Sequence, residues 1–341
     1  MTHDSAWESI DRLISTEFRS AGFFSGILAP LYQAARQKAG GPVSLAAAQR
    51  LAQVSRPGAS VVLTTGAGGP PWLFHGETDG PLGLAALARA LSLGYGVWPI
   101  VITEARSEVP MTATLVAGGV SVLPESLART RPTTATLVPF TTDPAAGERE
   151  AKAFLDRYQP VAVIAIEKTS PNRSGVIHSV TGKAWTPTVE FARVEFLIQE
   201  SRRRGVLTIG TGDIGNEMGF GLIEETVRRI VPYADVCQCP CNQGAASAIT
   251  TDVLVPASVS NWGCYGIEAG LAILKGRPEI FHDADTERAM LRACTAAGGV
   301  DGLTSRQILA VDGTSAEVQA AIVTLLAELV AKALEIRTVD Y

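Results

Sequence analysis

The chain has 341 residues, 46% apolar and 18% charged, with a formal net charge of −5. An acidic balance without long runs of one sign argues against nucleic acid and anionic membrane surfaces as partners, and no apolar run approaches the ~18 residues of a membrane helix. The opening MTHDSAWESIDRL carries charges where a signal peptide would be apolar, so a cytoplasmic protein with a small-molecule ligand is expected, a homo-oligomer being left open.

In chain order, residues 5 to 56 read as helices: Trp7, Ile10, Leu13 and Ile14 recur at helical spacing, and an alanine-rich run from Ser44 to Val54 follows Pro42. The stretch 1 to 56 is thus a helical lead-in to one compact α/β domain over 57 to 341. Val61, Val62 and Leu63 form a strand ending in Thr64-Thr65-Gly66-Ala67-Gly68-Gly69, and a second turn cluster, Glu77 to Pro81, opens a helix from Leu82 to Leu93. Val97 to Thr103 is the next strand, followed by a helix-like run to Gly119, the short segments VSVLP and ATLVPF, and a helix from Glu148 to Tyr158. Val161 to Ser170 is a strongly apolar strand ending at Glu167, with a polar loop and a long helix from Thr188 to Arg204 after it. Val206 to Gly221 runs from a strand into a glycine-rich turn, and Leu222 to Tyr233 is a helix. The last clear strand, Val253 to Val259, leads through Ser260-Asn261-Trp262-Gly263 into a helix from Tyr265 to Leu274, and the tail is helical at 283 to 297 and 315 to 336.

Apolar strands alternating with helices predict a doubly wound, mostly parallel, Rossmann-like sheet with helices on both faces and helical extensions at both ends. Ligands of such sheets sit outside the carboxyl ends of the strands. Four polar or glycine-rich segments follow strand ends, at 65 to 80, 167 to 175, 210 to 218 and 258 to 263, and are expected around one crevice.

Within them, Thr65, Gly66, Gly68 and Gly69 offer a backbone anion seat, or only a tight turn. Glu77 and Asp79 precede Pro81, which fits a first helical position, so Asp79 is either a site residue or a helix cap. Glu167, at the end of a buried strand, is a general base or metal ligand if desolvated, or the partner of Lys168 or Arg173 in an ion pair. Asp213, Asn216 and Glu217 put two carboxylates and an amide into one turn, and Asn261 and Trp262 offer an amide and an apolar wall. Cys237, Cys239 and Cys241 lack the C-x₂-C spacing of a structural zinc site and have no histidine nearby, so any metal is expected to be a hard divalent cation, Mg or Mn, on oxygen ligands. Nucleophile-elbow and Walker A motifs are absent, and the glycine turn lacks the acidic residue of a nicotinamide-binding fingerprint.

The stretches TTGAGGPPW and ETDGPLGLAALARAL, the AIEK strand end at 165 to 168, TIGTGDIGNEMGFG, VSNWGCYG, and the pairs Asp301-Gly302 and Asp312-Gly313 together resemble the D-glutamate cyclase-like C-terminal domain from about Gly26 to Ile336. The resemblance implies an α/β domain and a lyase-type reaction on a small amino acid: D-glutamate to 5-oxo-D-proline plus water in the member that gives the family its name, where the domain follows another one. The chain departs from the family pattern after Glu167, reading Lys168-Thr169-Ser170-Pro171-Asn172-Arg173, and in the cysteine-rich insert 237 to 247.

On that reading the Gly66 to Gly69 amides and Arg173 bind substrate, Asp213 or Glu217 moves the proton, and Asn216 and Asn261 stabilise the oxyanion. Glu77, Asp79 and Glu167 hold the ammonium or, with Asp213 and Glu217, a divalent cation. The alternatives are a lactam or cyclic-imide hydrolase, a hydro-lyase on a related acid, and a non-catalytic metabolite-binding module.

Overall fold

The computed structural model describes residues 3–18 and 24–335. Residues 1–2 and 19–23 of the expected helical lead-in, and Ile336 at the end of the expected last helix, lie outside them. Seven strands form one parallel sheet: β1 Ser60–Gly66, β2 Trp98–Ile102, β3 Ser121–Val122, β4 Thr134–Leu137, β5 Ala162–Lys168, β6 Leu207–Gly212 and β7 Val253–Pro256. Their order is β3-β4-β2-β1-β5-β6-β7. The chain builds outward from β1 on one side, returns, and builds outward on the other, so the order reverses between β1 and β5 and a crevice opens at their carboxyl ends. A two-stranded hairpin, β8 Ala310–Val311 with β9 Thr314–Ser315, lies outside this sheet.

Among the described residues there are twelve α-helices: α1 His3–Ile14, α2 Leu28–Ala39, α3 Val43–Val54, α4 Pro81–Tyr95, α5 Glu108–Ala117, α6 Glu125–Ala128, α7 Gly147–Tyr158, α8 Glu195–Arg203, α9 Glu224–Ile230, α10 Ser260–Lys275, α11 Ala284–Ala296 and α12 Ala316–Glu335. The larger core cluster takes Ile10 and Ile14 of α1, Leu51 of α3, Leu84 and Leu87 of α4, and Val323 and Leu326 of α12 with the inner face of the sheet. The N-terminal helices are therefore part of the main core. Buried Asp11 on α1 secures them by accepting from Tyr32 Oη at 2.8 Å and from the Val43 N–H at 2.7 Å at the start of α3. The other face packs Ile100, Val163, Phe154 and Leu197 into a second core.

Two helix readings change. The expected helix from Thr188 covers only Glu195–Arg203. Val189 and Phe191 pack with Ile177 in a small separate cluster, while the Ala192 and Arg193 N–H groups donate to Glu104 and to the Thr141 carbonyl, so the backbone there is tied across the fold. The last long helix before the tail starts at Ser260, five residues before Tyr265, because Asp79 accepts the N–H groups of Ser260 and Asn261 at 2.8 Å each. A carboxylate at a helix N-terminus satisfies donors the helix itself cannot.

Candidate functional site

Three strand ends and one distant hairpin meet at the crevice. After β1 come Glu77 and Asp79; at the end of β5, Glu167; after β6, Asp213, Asn216 and Glu217; and from the hairpin, Asp312. One oxygen from each of Asp79, Asp213 and Asp312 falls within a 4.8 Å cluster, and so does one from each of Glu167, Asp213 and Glu217. Asp213 is common to both trios.

Each side chain reaches this point by a local device. The β1–β5 ladder runs Thr65 with Ile166 and then Gly66 with Lys168, so Glu167 is the extra residue of a bulge, with φ at +42°. A bulge takes a residue out of the strand's alternation and re-aims it. The Glu167 carboxylate accepts from Ser260 Oγ at the head of α10. Glu217 is held by the N–H groups of Ile214 at 3.2 Å and Gly215 at 2.7 Å. Asp312 sits with Gly313 in the two-residue turn between β8 and β9, both at positive φ, the Asp-Gly pattern that such hairpins favour. Gly302 lies between Asp312 and Glu77: a Cβ on it would stand 1.9 Å from Glu77 Oε2 and 2.8 Å from Asp312 Oδ1. A side chain there would push the Glu77 and Asp312 carboxylates aside.

The electrostatics are one-sided. Burial, followed by Glu217, Asp79, Glu77 and Asp312, pushes the Glu167 carboxyl well above the usual carboxylate range. Burial and then Asp312 do the same to Asp79, against the pull of the Asn261, Ser260 and Gly80 N–H groups, and Glu77 is raised by burial and four neighbouring carboxylates. The cations expected to pair with Glu167 are engaged elsewhere. Lys168 is fully buried against Glu104, and Arg173 reaches Glu224 at 2.7 Å on the surface. Six converging carboxyl groups can persist in a buried place only by holding protons or by meeting a cation.

Several expected roles shift. Arg173 is exposed and committed to Glu224, so it is not a ligand of the chamber here. Asn261 is used up structurally: its Oδ1 accepts from the Gly80 and Gly83 N–H groups at 2.9 and 2.7 Å, and its Nδ2 donates to the Thr78 carbonyl at 3.1 Å. This cap of α4 requires Gly83, where a Cβ would stand 2.9 Å from Asn261 Cα. Trp262 is buried packing, its indole N–H donating to Gln319 Oε1 at 2.7 Å. Asn216 donates its amide to the His178 carbonyl at 3.3 Å, so that donor is already engaged, and its buried Oδ1 has no hydrogen-bond partner. Thr65 Oγ1 is likewise buried without a partner, beside Gly80 and Glu167. The glycine loop serves as much through carbonyls as through amides, Gly66 O accepting from the Thr169 N–H and hydroxyl and Gly68 O from Arg106. Asp312 is the site residue that sequence reasoning left without a role. Its only trace was the Asp312-Gly313 pair among the stretches that carry the family resemblance.

The expectation of no histidine near the cysteine triplet is overturned. His178 Nε2 lies 3.2 Å from Cys239 Sγ, 61 residues apart along the chain.

A cleft of about 620 Å³, lined by Glu104, Arg106, Phe140, Thr142, Val189 and Glu190 among others, contains none of the six chamber carboxylates, and its Glu104 is already paired with Lys168. The cavity that reaches Glu77 and Asp79, past Thr65, Gly66 and His75, has about 10 Å³, room for one water. Chemistry and not volume marks the site, because convergence of perturbed carboxyls is what a catalytic or metal centre requires.

A family model described as "D-glutamate cyclase-like, C-terminal" matches residues 29–327. The mitochondrial D-glutamate cyclase of Homo sapiens is 40% identical over 70 residues, 20% of this chain, and the match spans 10% of that protein's length. Among solved structures, TcdA (CsdL) is 13% identical over 69% of this chain and 93% of its own, with a TM-score of 0.26.

Proposed function

The chain belongs to the D-glutamate cyclase-like family, and on that premise we propose that it is a lyase closing a small acidic amino acid of the D-glutamate type to its lactam with loss of water. The observation that carries the reading is the sharing of Asp213 by two carboxylate trios at the sheet's switch point. Ring closure needs a folded-back substrate, a neutral amine and an electrophilic carboxyl, and holding the two ends together supplies much of the rate because the attack is intramolecular.

A dianionic substrate would be repelled by bare carboxylates. Asp79, Asp213 and Asp312, or Glu167, Asp213 and Glu217, are all-oxygen donor sets that fit a hard divalent cation such as Mg²⁺ or Mn²⁺. Such an ion, when bound, polarises the carboxyl under attack. The chain's own groups do the rest: Glu217, fixed by two backbone donors, relays the two protons that the ammonium nitrogen loses to the departing carboxyl oxygen, which leaves as water, and Asn216 Oδ1 accepts from the substrate nitrogen. Thr65 Oγ1 donates to the substrate carboxylate.

The test is incubation with D- and L-glutamate, 5-oxoproline and related lactams, with EDTA, Mg²⁺ or Mn²⁺, followed by mass. Loss of one water from D-glutamate supports the cyclase, and gain of one by a lactam or cyclic imide supports the hydrolase. Stabilisation without turnover reduces the chamber to a binding module.

A further inference from the structure

Away from the acidic chamber, three free cysteines and a histidine converge. Cys237, Cys239 and Cys241 stand with sulfurs 3.5, 3.4 and 3.3 Å apart, and His178 Nε2 lies 3.2 Å from Cys239 Sγ and 3.6 Å from Cys241 Sγ. The four ligand atoms all fall within 4.8 Å of one another. A tetrahedral zinc with Zn–S of about 2.3 Å and Zn–N of about 2.0 Å sets S···S edges near 3.8 Å and S···N edges near 3.5 Å, so the cluster has the size of that polyhedron to within a few tenths of an ångström.

The surroundings suit a metal as well as the four atoms do. His178 Nδ1 lies 3.1 Å from the Val176 carbonyl. That contact fixes the tautomer with its proton on Nδ1 and leaves Nε2 as the lone-pair nitrogen facing the sulfurs, as ligating histidines are held. Asn172 Nδ2 lies 3.4 Å from Cys241 Sγ and donates to the Gly244 carbonyl at 2.7 Å, a donor suited to a thiolate. His178 is carried on a small hairpin through its pairing with Ala184, and the cysteines come from the turn after α9, joined to that hairpin by the Gln238 N–H to the Gly182 carbonyl. Nothing else in the fold explains why three thiols of a chain with five cysteines are gathered around one imidazole nitrogen.

We propose that His178, Cys237, Cys239 and Cys241 bind one zinc ion in a closed, structural site that clips the loop after β5 to the turn after α9. Four protein ligands complete the tetrahedron, so no position is open for catalysis, and the three thiols release their protons as the ion binds. The soft donor set separates this site from the all-oxygen chamber. The clip bears on the chamber through Asn216, whose amide donates to the His178 carbonyl.

The deciding measurement is elemental analysis of the full-length protein after zinc reconstitution under reducing conditions and dialysis against a metal-scavenging resin. One zinc per chain is expected in the wild type and in Asp213→Asn, falling to background in Cys239→Ser and His178→Gln. Cobalt in place of zinc should give the intense thiolate-to-metal charge-transfer band of a tetrahedral site. Because those variants could fail to fold, the wild type alone also decides: zinc should shield three thiols from alkylation, read by intact mass. Equal alkylation with and without zinc, a disulfide among the three cysteines under reducing conditions, or zinc retained in both ligand variants would each overturn the proposal.

Discussion

Two of the places where the molecule buries acid treat it in opposite ways. Behind α10, Glu268 and Glu287 are fully buried but enclose His282, whose Nδ1 lies 2.6 Å from Glu268 Oε2 and whose Nε2 lies 3.3 Å from Glu287 Oε2. The His282 N–H and the Tyr265 hydroxyl complete the set, donating to Glu268 Oε1 at 3.0 Å and Glu287 Oε2 at 2.8 Å. Burial opposes the imidazolium charge, yet the two glutamates outweigh it and hold the His282 pKa up to about 10. In the chamber, six carboxyls converge and the neighbouring charges that weigh most on Glu77 and Glu167 are all carboxylates. Compensated charge holds a fold together. Acid crowded among acid is kept at a cost to stability, and such a cost marks a site where something positive or reactive is received.

The contrast breaks first at Asp213. Asp213→Asn should lower turnover by on the order of 10³-fold or more, in an assay of water loss from D-glutamate, because both trios lose their common member. Its melting temperature without divalent cation should stay level or rise, since one like charge leaves a crowded cluster. A clear fall would show that Asp213 is chiefly structural.

The reverse profile is expected behind α10. His282→Gln leaves two carboxylates buried without their cation and should cost about 3–5 kcal/mol in a denaturant titration. Activity per folded molecule should be close to unchanged, and a stable variant would mean that the glutamates are not charged.

Divalent cation sharpens the difference. Mn²⁺ should raise the melting temperature of the wild type by several degrees and leave Asp213→Asn nearly unmoved, as differential scanning fluorimetry would show. A shift of equal size in both would remove the chamber as the binding place.

The two clusters also part in their dependence on pH. His282 has a folded pKa above its unfolded value near 6.5, so its contribution is complete below pH ~6.5 and is lost as pH rises through about 10. Stability followed from pH 6 to 10 should fall in the wild type, and that part of the slope should vanish in His282→Gln. The smallest effect is assigned to Arg173→Ala: within about 0.5 kcal/mol in stability and no change in KM, because its exposed guanidinium is already paired with Glu224.

Much of this was legible beforehand for one reason: in a doubly wound sheet the polar residues that follow buried strands have one place to go. Glu167, Asp213 and Glu217 were expected at one crevice on that ground, and their carboxylates do converge. Asp312 was not, because it follows two helices and its Asp-Gly pair reads as an ordinary turn until the chain's end folds back over Gly302. Asn261 was misread because an amide beside a site looks like a ligand, and only the close approach of α10 to Gly83 shows it capping α4. Arg173 failed for the opposite reason: proximity in sequence to Glu167 says nothing once a bulge has turned Glu167 inward. His178 and the cysteines were invisible as a set, since no spacing rule joins residues that meet only across two loops.

The turn that carries Asp312 also sets an order of events. All seven strands of the main sheet are complete by Pro256, whereas Gly302 and Asp312 leave the ribosome after it. When the last strand has emerged, the acidic mouth of the sheet still lacks one wall, so the carboxylate cluster is completed only by residues that follow the sheet in the chain.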